Sequence, residues 1–440
     1  MSSSSKFVDR QAPVQGAVVI HPDREGRGFA RDAETRLDEA VGLALALDLE
    51  VRETAIAPLR KLTPATLFGS GKVTEIGHLI EAVGADVAVV DDSLTPVQQR
   101  NLEKAWQVKV IDRTGLILEI FARRARTREG RLQVELARLT YERSRLVRTW
   151  THLERQRGGF GVMGGPGETQ IETDRRLLAE KIGKLKRELA EVRRTRTLQR
   201  SARKRVPYPT VALVGYTNAG KSTLFNRLTQ AEVVAEDMLF ATLDPTLRML
   251  KLPDGRPAIL SDTVGFISDL PHELVEAFRA TLEEVREADV VLHVRDIASE
   301  ETDAQAQDVR TVLERLGVDM DERRILEVWN KVDLLPEEAR VQAMGDAKRS
   351  HPPAVLVSAA TGEGCDVLLR EVSGLVDEAP PVDVYAPAGE GAAIAWLYRH
   401  GRVIERNDGK DGSVRLAVSL TPQALGQFEQ LFPLAEVRGH

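Results

Sequence analysis

Nine consecutive residues, Gly215-Tyr216-Thr217-Asn218-Ala219-Gly220-Lys221-Ser222-Thr223, carry the clearest chemistry in the chain. Gly215, Gly220, Lys221 and Ser222 stand at the spacing of a phosphate-binding loop. The stretch follows an apolar run, Val211-Ala212-Leu213-Val214, and opens a helical one, Ser222 to Leu228. Gly215 and Gly220 let backbone N–H groups turn inward around phosphate. Lys221 is placed to reach β- and γ-phosphates, and the Ser222 hydroxyl to ligate Mg2+. The helix N-terminus adds partial positive charge. Average residue frequencies put a chance match in a chain of this length at about one in a hundred. The nearby Gly69-Ser70-Gly71-Lys72 lacks the first glycine at the right spacing and reads as a turn capping a helix from Lys72.

Three further stretches follow in the order a guanine-nucleotide site requires. Asp262-Thr263-Val264-Gly265 ends a second apolar run, Ala258 to Leu260. An aspartate at a strand end can hold Mg2+ through water, and Gly265 allows backbone approach to a γ-phosphate. Asn330-Lys331-Val332-Asp333 follows the run Ile325 to Trp329. The two oxygens of Asp333 match the N1–H and 2-amino donors of guanine. Adenine presents the wrong donors there, so GTP and GDP are the expected ligands rather than ATP. Asn330 would brace the phosphate loop and Lys331 would lay its stem on the base. In Ser358-Ala359-Ala360 a backbone N–H would meet the guanine oxygen. A threonine that completes Mg2+ coordination must lie between the phosphate loop and Asp262. Thr242 and Thr246 both qualify, and spacing does not choose between them. After Gly265 comes Phe266, where Ras-like GTPases carry a water-orienting glutamine. Phenylalanine cannot orient water, so hydrolysis is expected to be slow until a partner or another residue completes the site.

The elements that must position these residues are legible as alternating runs. From Thr210 to about Asp377, strands and helices succeed one another, with Val206-Pro207-Tyr208-Pro209 marking the entry. Residues 206–378 are therefore expected to form an α/β nucleotide-binding domain. Upstream, Ala17–Ile20, Val51–Ala57, Asp86–Val90 and Val108–Ile111 read as strands, and Ala33–Leu47 and Lys72–Val83 as helices. This is a small α/β unit over 14–112 with a mainly parallel sheet, after a polar tail over 1–13. Residues 113–205 read as two long helices. Leu132, Leu136, Leu139, Leu146, Trp150 and Leu153 form one narrow apolar stripe, and Leu178, Ile182, Leu185, Leu189 and Val192 the other. Such stripes suit an antiparallel hairpin, with Arg157 to Glu168 as a glycine-rich tip. Residues 379–391 read as a linker, and 392–440 as a small α+β domain whose stretch 393–405 alternates like a strand. The whole is a multidomain α/β protein.

Charge singles out the hairpin. Between Arg123 and Arg205 stand 24 lysines and arginines against 10 acidic residues, a surplus of +14, whereas the rest of the chain carries 37 against 57. A basic block in an acidic protein points to a polyanion, and nucleic-acid phosphate is the commonest one. The plain alternative is a solvated, arginine-rich helical surface. Cys365 is the only cysteine, which rules out a disulfide within the chain and fits a reducing cytosol. No apolar run is long enough to span a bilayer, and the first residues have no signal-peptide character. Peripheral attachment to an anionic membrane stays open, and the free protein is taken as a monomer.

Gly158 to Gln170 with Glu172, Asp174, Arg175 and Arg176, together with Phe240-Ala241-Thr242-Leu243-Asp244-Pro245-Thr246 and Phe68 to Lys72, resemble the HflX family of ribosome-associated GTPases, in the Obg–HflX group. The resemblance covers nearly the whole chain. It implies that Phe240 to Asp244 border the nucleotide and that Thr242 is the switch threonine. Lys221, Thr242 and Gly265 then act on the γ-phosphate, with Ser222 and Thr242 as direct and Asp262 as water-mediated Mg2+ ligands. An apolar residue in place of glutamine is usual in this group. The resemblance further implies binding to the large ribosomal subunit in the GTP form, splitting of stalled ribosomes, and rRNA contact by the first unit and the arm. Candidate contacts are Arg143, Arg145, Arg148, Arg155, Arg157, Gly164, Gly165, Arg175 and Arg176. A signalling GTPase whose arm binds a protein or membrane surface is the alternative.

Overall fold

The computed structural model describes residues 14–24, 32–156, 166–203, 208–230, 239–240, 242–243, 246–270, 274, 284–315, 317–318, 325–376, 382–409, 412–420 and 422–439. Of the helical arm, the side chains of 146–171, 193 and 195–203 are outside the description.

Three sheets organise the described residues. The first unit holds β1 (Gly16–Asp23), β2 (Glu50–Pro58), β3 (Val87–Val90) and β4 (Lys109–Asp112), all parallel in the order β2-β1-β3-β4. The two central strands bury continuous runs, Ala17–Ile20 in β1 and Val87–Val90 in β3, as a helix-covered parallel sheet demands, whereas the edge strands β2 and β4 are only partly buried. Its helices are α1 (Ala33–Leu45), α2 (Ser70–Val83), α3 (Pro96–Trp106) and α4 (Arg113–Arg124). Helix α2 starts at Ser70 with Gly69 as its N-cap, two residues earlier than the expected start at Lys72. Helix α3 was not anticipated, although Thr95-Pro96-Val97-Gln98 is a complete capping box.

The expected boundary at 113 is corrected. Residues 113–124 form a separate helix whose Leu116, Ile117, Leu118, Ile120 and Phe121 enter the core of the first unit. The arm proper is α5 (Arg128–Gln156) and α6 (Pro166–Arg203), which pack along each other. Its base also departs from the expected stripe. Gln133, Val134 and Ala137 are buried beside Leu139, while Leu132 and Leu136 are only half-buried, because Val134 and Ala137 enter the core that also takes the apolar face of α4. Further along, Ile182 and Leu189 of α6 keep their expected inward places.

The nucleotide-binding domain is a six-stranded sheet: β5 (Thr210–Gly215), β6 (Thr246–Lys251), β7 (Pro257–Asp262), β8 (Val290–Asp296), β9 (Ile325–Asn330) and β10 (Ala354–Leu356). The order is β10-β9-β8-β5-β7-β6, and among the described residues only β6 is antiparallel to its neighbour. Helix α7 (Lys221–Thr229) follows β5. The first unit and this domain share one apolar core, in which Phe121, Leu43 and Val134 meet Phe240, Leu243, Val264 and Phe266.

At the C-terminus the sheet order is β12-β13-β11-β14, built from β11 (Val382–Ala386), β12 (Arg402–Asp408), β13 (Val414–Ser419) and β14 (Glu436–Gly439). The expected linker thus contains an interior strand, hidden in the sequence by the prolines on either side of it. Residues 391–400 are a helix rather than a strand: Ala393 and Leu397, one turn apart, are fully buried, and Trp396 packs near Phe428 and Phe432.

Candidate functional site

The phosphate loop, Asp262–Gly265, Asn330–Asp333 and Ser358–Ala360 all lie at the carboxyl ends of strands of the large sheet, where open α/β folds bind ligands. The loop 215–221 leaves β5, Asp262 ends β7, Asn330 ends β9, and Ser358 lies just past β10. Leu213 pairs with Asp262 in register, and Asp296 with Asn330, so strand pairing alone brings the four together.

The loop is tightly determined. Gly215 has φ 154°, and a Cβ there would lie 2.2 Å from the Val294 carbonyl oxygen. Gly220 has φ 89°, and its Cβ would lie 2.2 Å from Asn330 Nδ2. Asn218 adopts a left-handed conformation and is exposed, while Thr217, Ala219 and Lys221 are buried. Lys221 Nζ donates to the Tyr216 carbonyl at 2.7 Å, which folds the amine back over the loop. Asn330 is 1 % exposed and braces two segments: its Nδ2 donates to Ala219 O at 2.8 Å, and its Oδ1 accepts from Ala359 N at 2.9 Å.

Three oxygens converge beside Lys221. Ser222 Oγ lies 2.8 Å from Thr242 Oγ1 and 2.7 Å from Asp262 Oδ2, and Thr242 Oγ1 lies 2.9 Å from the same carboxylate oxygen. Thr246 instead opens β6, paired with Asp262 across the ladder. Of the two candidates that spacing left open, Thr242 is the one whose hydroxyl the structure places beside Ser222 and Asp262. Asp262 Oδ1 is buried with no hydrogen-bond partner among the described residues. Burial pulls Lys221 down to about 8, opposed by Asp262; burial pushes Asp262 up, opposed by Lys221 and the two hydroxyls. Two groups that a cation–phosphate cluster needs charged are each driven toward neutrality by the protein alone, and one carboxylate oxygen is left unpaired. Hydroxyl, hydroxyl and carboxylate are the hard oxygen donors that Mg2+ prefers, so these residues fit that ion.

Several candidate residues turn away from the nucleotide side. Thr263 Oγ1 donates to Leu213 O, while Val264, Leu243, Phe240 and Val332 are buried apolar contacts. Only their backbones remain available there. Ser358 N–H and Ala359 N–H are committed to Glu363 O and Asn330 Oδ1, so donation to a guanine oxygen falls to Ala360 or requires Asn330 to turn. Lys331 pairs with Asp296 at 2.8 Å beside the exposed Asp333, and Thr223 faces solvent. Ala241 and Asp244 lie outside the described residues. Phe266 is 1 % exposed and points into the shared core. Its backbone pairs with the loop, Phe266 N to Gly215 O and Thr217 N to Phe266 O, which lays Gly265 directly over Thr217 and Lys221.

Residues the motifs did not reveal complete the surroundings. Arg227 of α7 donates to Ala359 O and Ala360 O, tying that helix to the 358–360 turn. From the first unit, Glu39 accepts from the Tyr216 hydroxyl, from Ser268 Oγ at 2.6 Å and from Arg113. Periodicity marks Glu39 only as a polar position on a helix, so no sequence signal assigns it to the loop.

On the arm, Arg143, Arg175 and Arg176 are exposed. Arg145 is corrected as an RNA candidate: its guanidinium is turned inward onto Asp112 at 3.3 Å, Gln99 Oε1 at 2.6 Å and the Tyr141 ring. The side chains of Arg148 and Arg155, and all of Arg157, Gly164 and Gly165, lie outside the description.

A phosphate loop on a mainly parallel sheet, a threonine–serine–aspartate cluster and an Asn-Lys-Val-Asp turn at a further strand end are the arrangement of a P-loop GTPase. Family models agree along the chain: "GTP-binding GTPase N-terminal" matches 34–122, "GTP-binding GTPase Middle Region" 124–203, "50S ribosome-binding GTPase" 210–331 and "HflX C-terminal domain" 343–433. GTPase HflX of Magnetococcus marinus is 54 % identical over 404 residues, 91 % of each chain. GTPase HflX of Escherichia coli is 44 % identical, covering 94 % of this chain and 95 % of that one. The chain belongs to the HflX family of GTPases, and it hydrolyses GTP.

Proposed function

We propose that this GTPase docks its basic arm on the RNA of the large ribosomal subunit in the GTP-bound state and leaves on hydrolysis, separating stalled ribosomes while bound. The observation that carries the reading is the +14 surplus over residues 123–205, with Arg143, Arg175 and Arg176 in solvent on α5 and α6. The matched "50S ribosome-binding GTPase" model supports the choice of partner.

Hydrolysis follows from the groups around the loop. Ser222, Thr242 and Asp262 would hold Mg2+, the aspartate through water, and the ion would supply charge neutralisation on the phosphates. Lys221 adds a point charge on the same oxygens, and the Gly265 N–H is presented to the γ-phosphate by the backbone pairing of Phe266 with Gly215 and Thr217. Phe266 itself lies in the core and supplies no water-orienting group, so turnover is slow until the ribosome completes the site. Phosphate release removes the charge that Thr242 and Gly265 sense, and the arm disengages.

The test is cosedimentation with separated ribosomal subunits in GDP and in a non-hydrolysable GTP analogue. Binding to the large subunit only with the analogue is expected; equal or absent binding in both overturns the reading.

A further inference from the structure

The first unit reaches into the nucleotide site at two points. Glu39 on α1, 13 % exposed at its side chain, is the centre of a buried polar cluster. Its Oε2 accepts from the Tyr216 hydroxyl, which in turn accepts from Ser268 N–H at 2.8 Å. Its Oε1 accepts from Ser268 Oγ at 2.6 Å and from Arg113. Arg113 also donates to Ser268 O at 3.0 Å and Ser268 Oγ at 2.9 Å, and is held from behind by Asp91 at 2.5 Å. Asp91 is backed by His21 at 2.8 Å. Tyr216 belongs to the phosphate loop, and Ser268 follows Gly265 by three residues. One carboxylate of the first unit therefore joins both.

The second point is apolar. Phe121 of α4 meets Phe240 edge-on, with ring centroids 4.6 Å apart, two residues before Thr242. Gly42 of α1 leaves room for Leu239, whose Cδ1 would lie 3.1 Å from a Cβ there. With these contacts made, Thr242 sits against Ser222 and Asp262, and Gly265 lies over Lys221. Both segments that respond to a γ-phosphate are thus pinned, by residues of another unit, in the arrangement a triphosphate would need.

We infer that Glu39 and Arg113 are positioning residues of the GTPase site: by clamping Tyr216 and Ser268 they make the first unit favour triphosphate over diphosphate. Linkage makes the effect reciprocal, so a bound triphosphate tightens the docking of the first unit and a diphosphate loosens it. The orientation of the arm, which is rooted on that unit through Tyr141 and Arg145 to Asp112, then follows the nucleotide state. The inference rests on reading Ser222, Thr242 and Asp262 as the metal cluster.

The experiment measures affinities of the full chain for GDP and for a non-hydrolysable GTP analogue, with Mg2+, in wild type, Glu39→Gln, Ser268→Ala and Tyr216→Phe. Glu39→Gln is expected to weaken the analogue about tenfold, within the usual range of coupling between sites, and GDP by less than about twofold. Combined with Tyr216→Phe, the loss should be smaller than the product of the two, because both remove one hydrogen bond. Ser268→Ala deletes only a hydroxyl and keeps the test alive if Glu39→Gln does not fold. Parallel loss of both nucleotides, an unchanged ratio, or independent effects in the double variant overturns the clamp. Thr242→Ala separates the two readings. If it keeps wild-type preference for the analogue, the metal cluster is misread; if it loses preference while Glu39→Gln keeps it, the clamp alone fails.

Discussion

Asn330→Ala tests how the guanine turn and the phosphate loop are joined. The wild-type amide closes two buried hydrogen bonds, to Ala219 O at 2.8 Å and from Ala359 N at 2.9 Å. At 1 % exposure no solvent replaces them. Truncation strands a loop carbonyl and an N–H of the 358–360 turn, and each stranded buried group costs about 1–3 kcal/mol. The pair therefore costs roughly 2–6 kcal/mol, shared between folding stability and nucleotide binding. If about 2 kcal/mol of that falls on binding, affinity drops on the order of 30-fold. GDP and GTP should weaken alike, because the brace lies under the base and the loop rather than at the γ-phosphate. Equilibrium titration with a fluorescent guanine nucleotide reads the change. Asn330→Asp is a graded companion: it keeps an acceptor for Ala359 but sets a carboxylate oxygen against Ala219 O, so it should be no better than alanine. Affinity within threefold of wild type for both variants, with normal melting, would refute the brace.

Asp333→Asn replaces a two-acceptor group by one that also donates; it should weaken GTP by about 100-fold or more and favour xanthosine triphosphate, whose 2-oxo group accepts, in a competition assay. Gly215→Ala puts a Cβ 2.2 Å from the Val294 carbonyl oxygen, backbone that cannot step aside, so it should cost about 3 kcal/mol or more and lower the thermal midpoint by several degrees. Burial works to raise the Glu327 pKa, but His293, the Trp329 N–H and Arg295 outweigh it and hold the carboxyl far below its ordinary value of 4.5. A depressed acid stabilises the fold above its unfolded pKa and loses that contribution as pH falls through about 4.5 and below. Unfolding midpoints should therefore fall across pH 5 to 3 in wild type and fall less in Glu327→Gln; identical pH profiles would show that the carboxylate carries no net stability.

What the residues determined by themselves was local chemistry. Gly215 to Ser222, Asp262 to Gly265 and Asn330 to Asp333 are contiguous runs whose spacing encodes a turn and its ligand, and each run needs only a preceding strand to be readable. The parallel sheets were legible for the same reason, because a strand buried on both faces is a continuous apolar run. Where the signal needed a partner, it failed. The stretch 113–124 looked like the start of the arm until Leu116 and Phe121 found the core of the first unit; 382–386 looked like a linker until β13 and β14 flanked it; Arg145 looked like a phosphate contact until Asp112 and Gln99 enclosed it. Thr242 over Thr246 and the inward turn of Phe266 likewise required the third dimension, since both depend on which surface the segment packs against. The joining of Glu39 and Arg113 to Tyr216 and Ser268 lies furthest from the sequence: 177 positions separate Glu39 from Tyr216, and a contact between such distant residues exists only once two separately folded units share one core.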